Sequence, residues 1–90
     1  TQEYITPVIA VPPQEAFYAS KKSVLLSEAV GHVSGESVMS YPPGIPVVAP
    51  GEVITQDVVR YILYAKEKGC FLTGAQDSTM QTIRVLTEAK

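Results

Sequence analysis

The side chains able to do chemistry are few. His32 is the only histidine and Cys70 the only cysteine. Ser34, Ser37 and Ser40 surround His32 and Glu36, Lys21 and Lys22 are adjacent, and Glu36 and Glu52 flank the segment Tyr41–Pro50. His32 has no cysteine near it and no HxxH or HExxH spacing, so no metal site is expected. Catalytic use would need a positioned partner that the sequence does not show, and a surface or hydrogen-bonded role is the expectation. Cys70 follows a helix C-terminus, where the dipole disfavours a thiolate. It reads as a small buried apolar residue.

None of the serines lies in a GxSxG, and a hydrolytic triad takes its members from separate segments at set distances. Gly31, Gly35, Gly44 and Gly51 form neither a GxGxxG nor a P-loop, so nothing here cradles phosphate. A Schiff-base lysine needs desolvation or a cationic neighbour inside a formed pocket. Lys21 and Lys22 supply the neighbour without the pocket and read as solvated.

Glu36 and Glu52 remain. Proline-locked loops hold side chains still at little entropic cost, which suits a binding site. A carboxylate held there can accept hydrogen bonds from an ammonium or guanidinium group. Spacing alone gives Glu52 the plainer role of closing or solvating the turn.

The elements that must position these groups follow from periodicity and punctuation. Four of the seven prolines fall between residues 42 and 50, so no helix or central strand can run there. Tyr41–Pro46 is a rigid turn. Pro43 and Gly44 suit the two central positions of a type II turn, and Pro50-Gly51 repeats that chemistry. Between them, Val47-Val48 is the one short apolar step.

The strongest helix is Gln56–Lys68. Thr55 caps it, Asp57 lies in its first turn, Lys66 and Lys68 in its last, and Gly69 stops it. Val58, Ile62 and Ala65 form the apolar row, which Val59 and Leu63 widen. Pro13–Ala19 gives one or two helical turns, with Pro13 at the start, where its missing N–H costs nothing.

Strands are expected at Val8–Val11, Ser23–Leu26, His32–Tyr41 with Gly35 as a bulge, Cys70–Thr73 and Thr82–Thr87. Ser27–Gly31 is a single turn ending at glycine, and Gly74–Asp77 is a turn. The fold class is α+β: a small mixed or antiparallel sheet, one principal helix and a rigid Pro/Gly-rich loop. Residues 1–90 read as one domain, with 1–11 an extended lead-in or linker.

Composition narrows the function. The chain has 90 residues, 46% hydrophobic and 18% charged, with a net charge of −2. That is globular, with a small core, since a chain this short buries only about 60% of its unfolded surface. The seven Lys and Arg are scattered, which argues against nucleic acid. No apolar run approaches the roughly 20 residues of a membrane span, and no basic region precedes an apolar stretch as in a signal peptide. A single cysteine cannot form an internal disulfide and fits the reducing cytoplasm.

Between Gly31 and Thr55 the sequence becomes specific. The run Tyr41-Pro42-Pro43-Gly44-Ile45-Pro46, then Val47-Val48-Ala49, then Pro50-Gly51-Glu52 and the hydroxyl cap Thr55 resembles the signature of the C-terminal domain of the Orn/Lys/Arg decarboxylases. The upstream blocks Pro12–Phe17, Val24-Leu25 and Glu28–Gly31 resemble that family too, as does the helix ending before Gly69. The resemblance spans almost the whole chain. Two positions depart from the family's pattern. His32 stands where the family often has Arg, and Ser40 precedes Tyr41 where it often has Pro. Both bear on substrate preference.

The resemblance implies a complete enzyme of the aspartate-aminotransferase type. A large domain would bind pyridoxal phosphate through a lysine outside this chain, and the present domain would close over the site. The reaction implied removes the α-carboxylate of arginine, lysine or ornithine, feeding polyamine synthesis, with the cofactor ring as electron sink. The partners implied are the chain's own large domain, a basic amino-acid substrate and further subunits of a homo-oligomer. No catalytic residue is expected in this chain, which alone would be inactive. Glu36 first and Glu52 second are the candidates for the substrate's distal cation, with Tyr41, Pro43 and Gly44 shaping the loop. A second reading is a non-catalytic dimerisation or interaction module using the apolar loop Ile45–Val48 as contact surface. A third is a free-standing polyamine binder using the same carboxylates.

Overall fold

The computed structural model of the chain describes residues 7–41 and 44–87. Helix α1 spans Pro13–Tyr18, strand β1 Lys21–Leu25, and a single 3-10 turn Leu26–Glu28. Strand β2 is Val38–Tyr41, β3 Ile45–Val48, helix α2 Gln56–Glu67, β4 Phe71–Thr73 and β5 Thr82–Leu86. One antiparallel sheet has the order β3-β2-β4, and β1 pairs antiparallel with β5. The α+β expectation with an antiparallel sheet therefore holds.

The β1–β5 pair does not stop at two strands. Isolated bridges Ser34↔Val85, Val33↔Val53 and Ile9↔Glu52 carry the antiparallel ladder onward from β5. Leu86 N–H donates to Val33 O, Ser34 N–H to Glu52 O, and Ala10 N–H to Gly51 O. The expected strand at Val8–Val11 is thus the outermost rung of an irregular ladder, reduced to one bridge.

The two faces of this ladder separate the core into two clusters, as the period of two requires. Ile83 and Val85 join Val38, Val47, Val48, Ile54, Val58, Ile62 and Met80 in the main cluster. Leu86 and Val33 face the other way and pack on Ala16 of α1. Helix α2 buries Val58, Ile62 and Ala65 as expected, capped by Thr55 Oγ1, which accepts Val58 N–H at 3.3 Å. Leu63 departs from expectation: it is 52% exposed, because the stripe is narrower than two full rows.

Three further expectations are corrected. His32–Tyr41 is not one strand. Ser34 Oγ donates to Glu36 O at 2.8 Å and accepts Glu36 N–H at 3.1 Å. Such a side-chain turn competes with the ladder and bends the chain, so only Val38–Tyr41 pairs as β2. The irregularity lies at Val38/Met39 against β3 rather than at Gly35. Second, Ile45–Val48 is strand β3 and not a contact loop, since Val47 and Val48 are buried. Pro46 is tolerated because β3 is an edge. Third, Cys70 is half-buried rather than a core residue.

Candidate functional site

Glu36 is 8% exposed, and both its oxygens face backbone donors. Oε2 accepts Gln76 N–H at 2.8 Å and Oε1 accepts Arg84 N–H at 3.0 Å. Gly35 N–H donates to Arg84 O at 2.9 Å. The carboxylate therefore continues the ladder between 33–35 and β5 where the chain has turned away. A buried carboxylate is tolerated when charge-assisted hydrogen bonds replace its water.

Two hollows meet at Glu36. An open cleft of about 470 Å³ has Phe17, Lys21, Gly35, Glu36, Gln76 and Arg84 in its wall. A smaller one of about 180 Å³ runs past Ser23, Asp77 and Thr82. Lys21, expected to be solvated, folds back instead. Its Nζ donates to Phe17 O at 2.9 Å and Ala19 O at 3.0 Å, satisfying carbonyls at the end of α1. Its stem lies so near Gly35 that a Cβ there would stand 2.8 Å from Lys21 Cδ.

Glu52 closes the turn that precedes it. Its Oε1 accepts Ala49 N–H at 3.0 Å while its own N–H donates to Ala49 O at 3.1 Å. Gly51 before it has φ +91°, and a side chain there would run into the carbonyl of Val11. Only glycine combines that backbone with that approach. The Pro-Gly-Glu part of the signature is thus a built turn.

Tyr41 ends β2, opposite Phe71 of β4, and is partly exposed. Its ring covers Gly44, where an added Cβ would lie 2.9 Å from Tyr41 Cε1. Pro43, and with it the type II turn expected at Pro43-Gly44, lies outside the described residues. Glu36 and Glu52 share the ladder, since Ser34 N–H bonds Glu52 O two residues from Glu36. Their carboxylates have separate sets of partners. His32 is half-buried at the start of the same rung, its backbone O accepting Ile54 N–H at 2.8 Å.

The residue that sequence reasoning missed is Asp77. Oδ1 accepts Thr79 N–H and Oγ1–H, and Oδ2 accepts Gln81 N–H, Thr82 N–H and Thr82 Oγ1–H. The hydroxyl and then the N–H of Thr79 hold its carboxyl well below the usual carboxylate range against the opposing effect of desolvation, and the N–H and hydroxyl of Thr82 add less. An aspartate two residues before a threonine is the available signal, because such pairs favour local side-chain turns.

Among the described residues no cluster of three or more His, Cys, Asp or Glu is placed to hold a metal ion, and no helix is long and apolar enough to cross a membrane.

Comparison with known proteins agrees with the signature. The family model for the Orn/Lys/Arg decarboxylase C-terminal domain matches residues 2–81. The arginine decarboxylase of Bacillus subtilis (strain 168) is 44% identical over 84 residues, covering 93% of this chain and 17% of that protein. The inducible lysine decarboxylase of Escherichia coli (strain K12) is 35% identical over 77 residues, covering 78% of this chain and 11% of that protein. The solved constitutive lysine decarboxylase of Escherichia coli superposes with a TM-score of 0.77 at 27% identity, over 94% of this chain and 14% of that one. The chain spans only a small part of the length of these relatives. With the Ala49–Glu52 turn built as described, the chain belongs to the Orn/Lys/Arg decarboxylase C-terminal domain family.

Proposed function

We propose that this chain is the C-terminal domain of a cytoplasmic pyridoxal-phosphate-dependent decarboxylase of arginine, lysine or ornithine, feeding polyamine synthesis. It closes an active site formed by a large domain outside the chain, within a homo-oligomer. The observation that carries the reading is the part of the family's Pro/Gly signature from Gly44 to Glu52, which is held by contacts of its own. Gly51 is forced by Val11, Glu52 seals its turn, and Tyr41 covers Gly44.

Pyridoxal phosphate would supply the electron sink. The described lysines do not fit as its anchor. Lys21 is held by two carbonyls, and Lys22, Lys66 and Lys68 are exposed. The cofactor is assigned to the large domain. The chain alone is proposed to be inactive, and its own contribution is walls that exclude water and position the substrate.

Glu36 and Glu52 are proposed as carboxylates for the substrate's distal cation, with Tyr41, Pro43 and Gly44 shaping the approach. Each carboxylate oxygen has two lone-pair sites, so the backbone bonds of Glu36 leave acceptor capacity toward the cleft. The test is steady-state decarboxylation by the full-length enzyme carrying Glu36→Gln or Glu52→Gln, alongside thermal unfolding. Substrate contact predicts a drop in kcat/KM for at least one of the three amino acids beyond any loss of folded protein. Unchanged kcat/KM for all three with both variants overturns that part. Activity of the 90-residue chain on its own would overturn the division of labour.

A further inference from the structure

The outer side of β1 joins an unpaired strand edge to an apolar groove. In an antiparallel pair, residues alternate between positions that bond across the pair and positions that bond outward. Arg84 sends its N–H to Glu36 and receives Gly35 on its C=O, and Thr82 sends its N–H to Asp77. Both therefore bond away from β1. Their Cα partners are Ser23 and Leu25. The N–H and C=O of Ser23 and the N–H of Leu25 accordingly point away from β5, and no partner reaches them among the described residues.

Immediately beside this edge lies a groove of about 310 Å³ walled by Leu25, Leu26, Val59, Leu63 and Met80. Leu25 and Leu63 are each about half exposed. Its one charged lining residue is Lys66. Lys21 and Lys22 begin the strand.

An unpaired edge with an adjoining apolar pocket is the pattern by which an extended segment adds to a sheet, its backbone giving affinity and one side chain giving specificity. Lysines on an edge guard against pairing of identical strands, which disfavours a second copy of this chain. Lys22 and Lys66, both exposed, complement a segment carrying acidic residues, whereas Lys21 Nζ is already bound to Phe17 O and Ala19 O. The region this chain covers is 17% of the Bacillus subtilis arginine decarboxylase and 11% of the Escherichia coli inducible lysine decarboxylase, so such a protein has ample further chain to supply the segment.

We infer that β1 and the Leu25–Leu63 groove dock an extended, apolar and acidic segment from the remainder of the decarboxylase subunit. This rests on the proposed function for the identity of the partner. The groove is walled by residues other than Glu36, Glu52, Tyr41 and Gly44, while Lys21 and Ser23 of β1 line the hollows that meet at Glu36, so docking along β1 borders that candidate substrate contact.

The test compares amide hydrogen exchange in the 90-residue chain with that in the full-length subunit. The amides of Ser23 and Leu25 are expected to exchange at least about tenfold more slowly in the full-length protein. Leu63→Lys, placed on the exposed side of α2, should abolish that protection while the amides of Ile83 and Val85 keep theirs. Ser23→Pro, which removes only an outward-facing N–H, should leave the isolated chain folded and weaken the docking. Equal exchange of Ser23 and Leu25 in both proteins overturns the inference. Protection already present in the isolated chain and rising with its concentration also overturns it, by naming a second copy as occupant. A full-length subunit that protects β1 but decarboxylates no basic amino acid would sink the proposed function and leave the docking standing.

Discussion

Glu36 Oε1 accepts the backbone N–H of Arg84, 48 residues away, at 3.0 Å. A side chain thus takes the place of a strand carbonyl in the ladder that joins residues 33–35 to β5. With Gln76 N–H on the other oxygen, one carboxylate ties three distant segments at the floor of the cleft.

Removing that carboxylate leaves two backbone donors without their partner at a part-buried place. Each unsatisfied group costs about 1–3 kcal/mol, so Glu36→Ala should destabilise the chain by about 2 kcal/mol or more. For a domain of this size each kcal/mol moves Tm by about 4–8 °C. Glu36→Gln keeps one acceptor and turns an amide toward the other donor, so it should fall between. Thermal unfolding followed by circular dichroism reads both. An unchanged Tm for Glu36→Ala would mean that the Gln76 and Arg84 bonds contribute nothing.

The apolar row of α2 gives a sharper contrast. Ile62 is fully buried in the main cluster while its neighbour Leu63 is about half exposed. Ile62→Ala should cost about 2–5 kcal/mol through lost transfer energy and a residual cavity. Leu63→Ala should stay within about 0.5 kcal/mol in the isolated chain. Urea unfolding at constant m-value measures both. Similar losses for the two would contradict the packing described.

What was legible in the sequence was whatever rests on local chemistry. The Thr55 cap, the Val58–Ile62–Ala65 row and the early Pro13 turn depend on neighbours within one or two turns, and they appear in place. What was not legible depends on contacts between distant segments. Glu36 is bound to Gln76 and Arg84, 40 and 48 residues away, and spacing cannot show such partners. The break at Ser34–Glu36 was hidden because a hydroxyl turn competes with a strand by a margin that tertiary bonds decide. β3 was hidden because proline reads as a breaker until the strand is known to be an edge. The family signature was legible as a string of residues. That Gly51 answers to Val11 was not, because the two are 40 positions apart.

Gly51→Ala tests that pairing. The substitution forces a side chain into a left-handed backbone and against the carbonyl of Val11. Backbone strain of this kind alone costs about 1–3 kcal/mol. Because Ala10 and Val11 N–H both donate to Gly51 O, the damage should spread to residues 8–11. Their amides should exchange faster while those of β2 and α2 change little. Uniform loss of protection, or none, would separate Gly51 from Val11.

Asp77 gives a prediction in pH. Its carboxyl, held low by the donors of Thr79 and Thr82, binds protons less readily in the folded chain than in the unfolded one. Stability from this group is therefore fully present above the ordinary aspartate value of 3.8 and is lost as pH falls through it toward the folded value. Asp77→Asn should have the lower Tm at neutral pH, and the gap should narrow steadily as the solution is acidified below about pH 4. The loop also sets Met80, whose N–H donates to Asp77 O and whose φ is +56° with its side chain wholly in the core. Loosening it should raise amide exchange at Met80 first. Calorimetric scans of both proteins from neutral pH down to the acid limit decide the matter: a Tm difference that does not depend on pH would show that the charge on Asp77 does not help hold the loop.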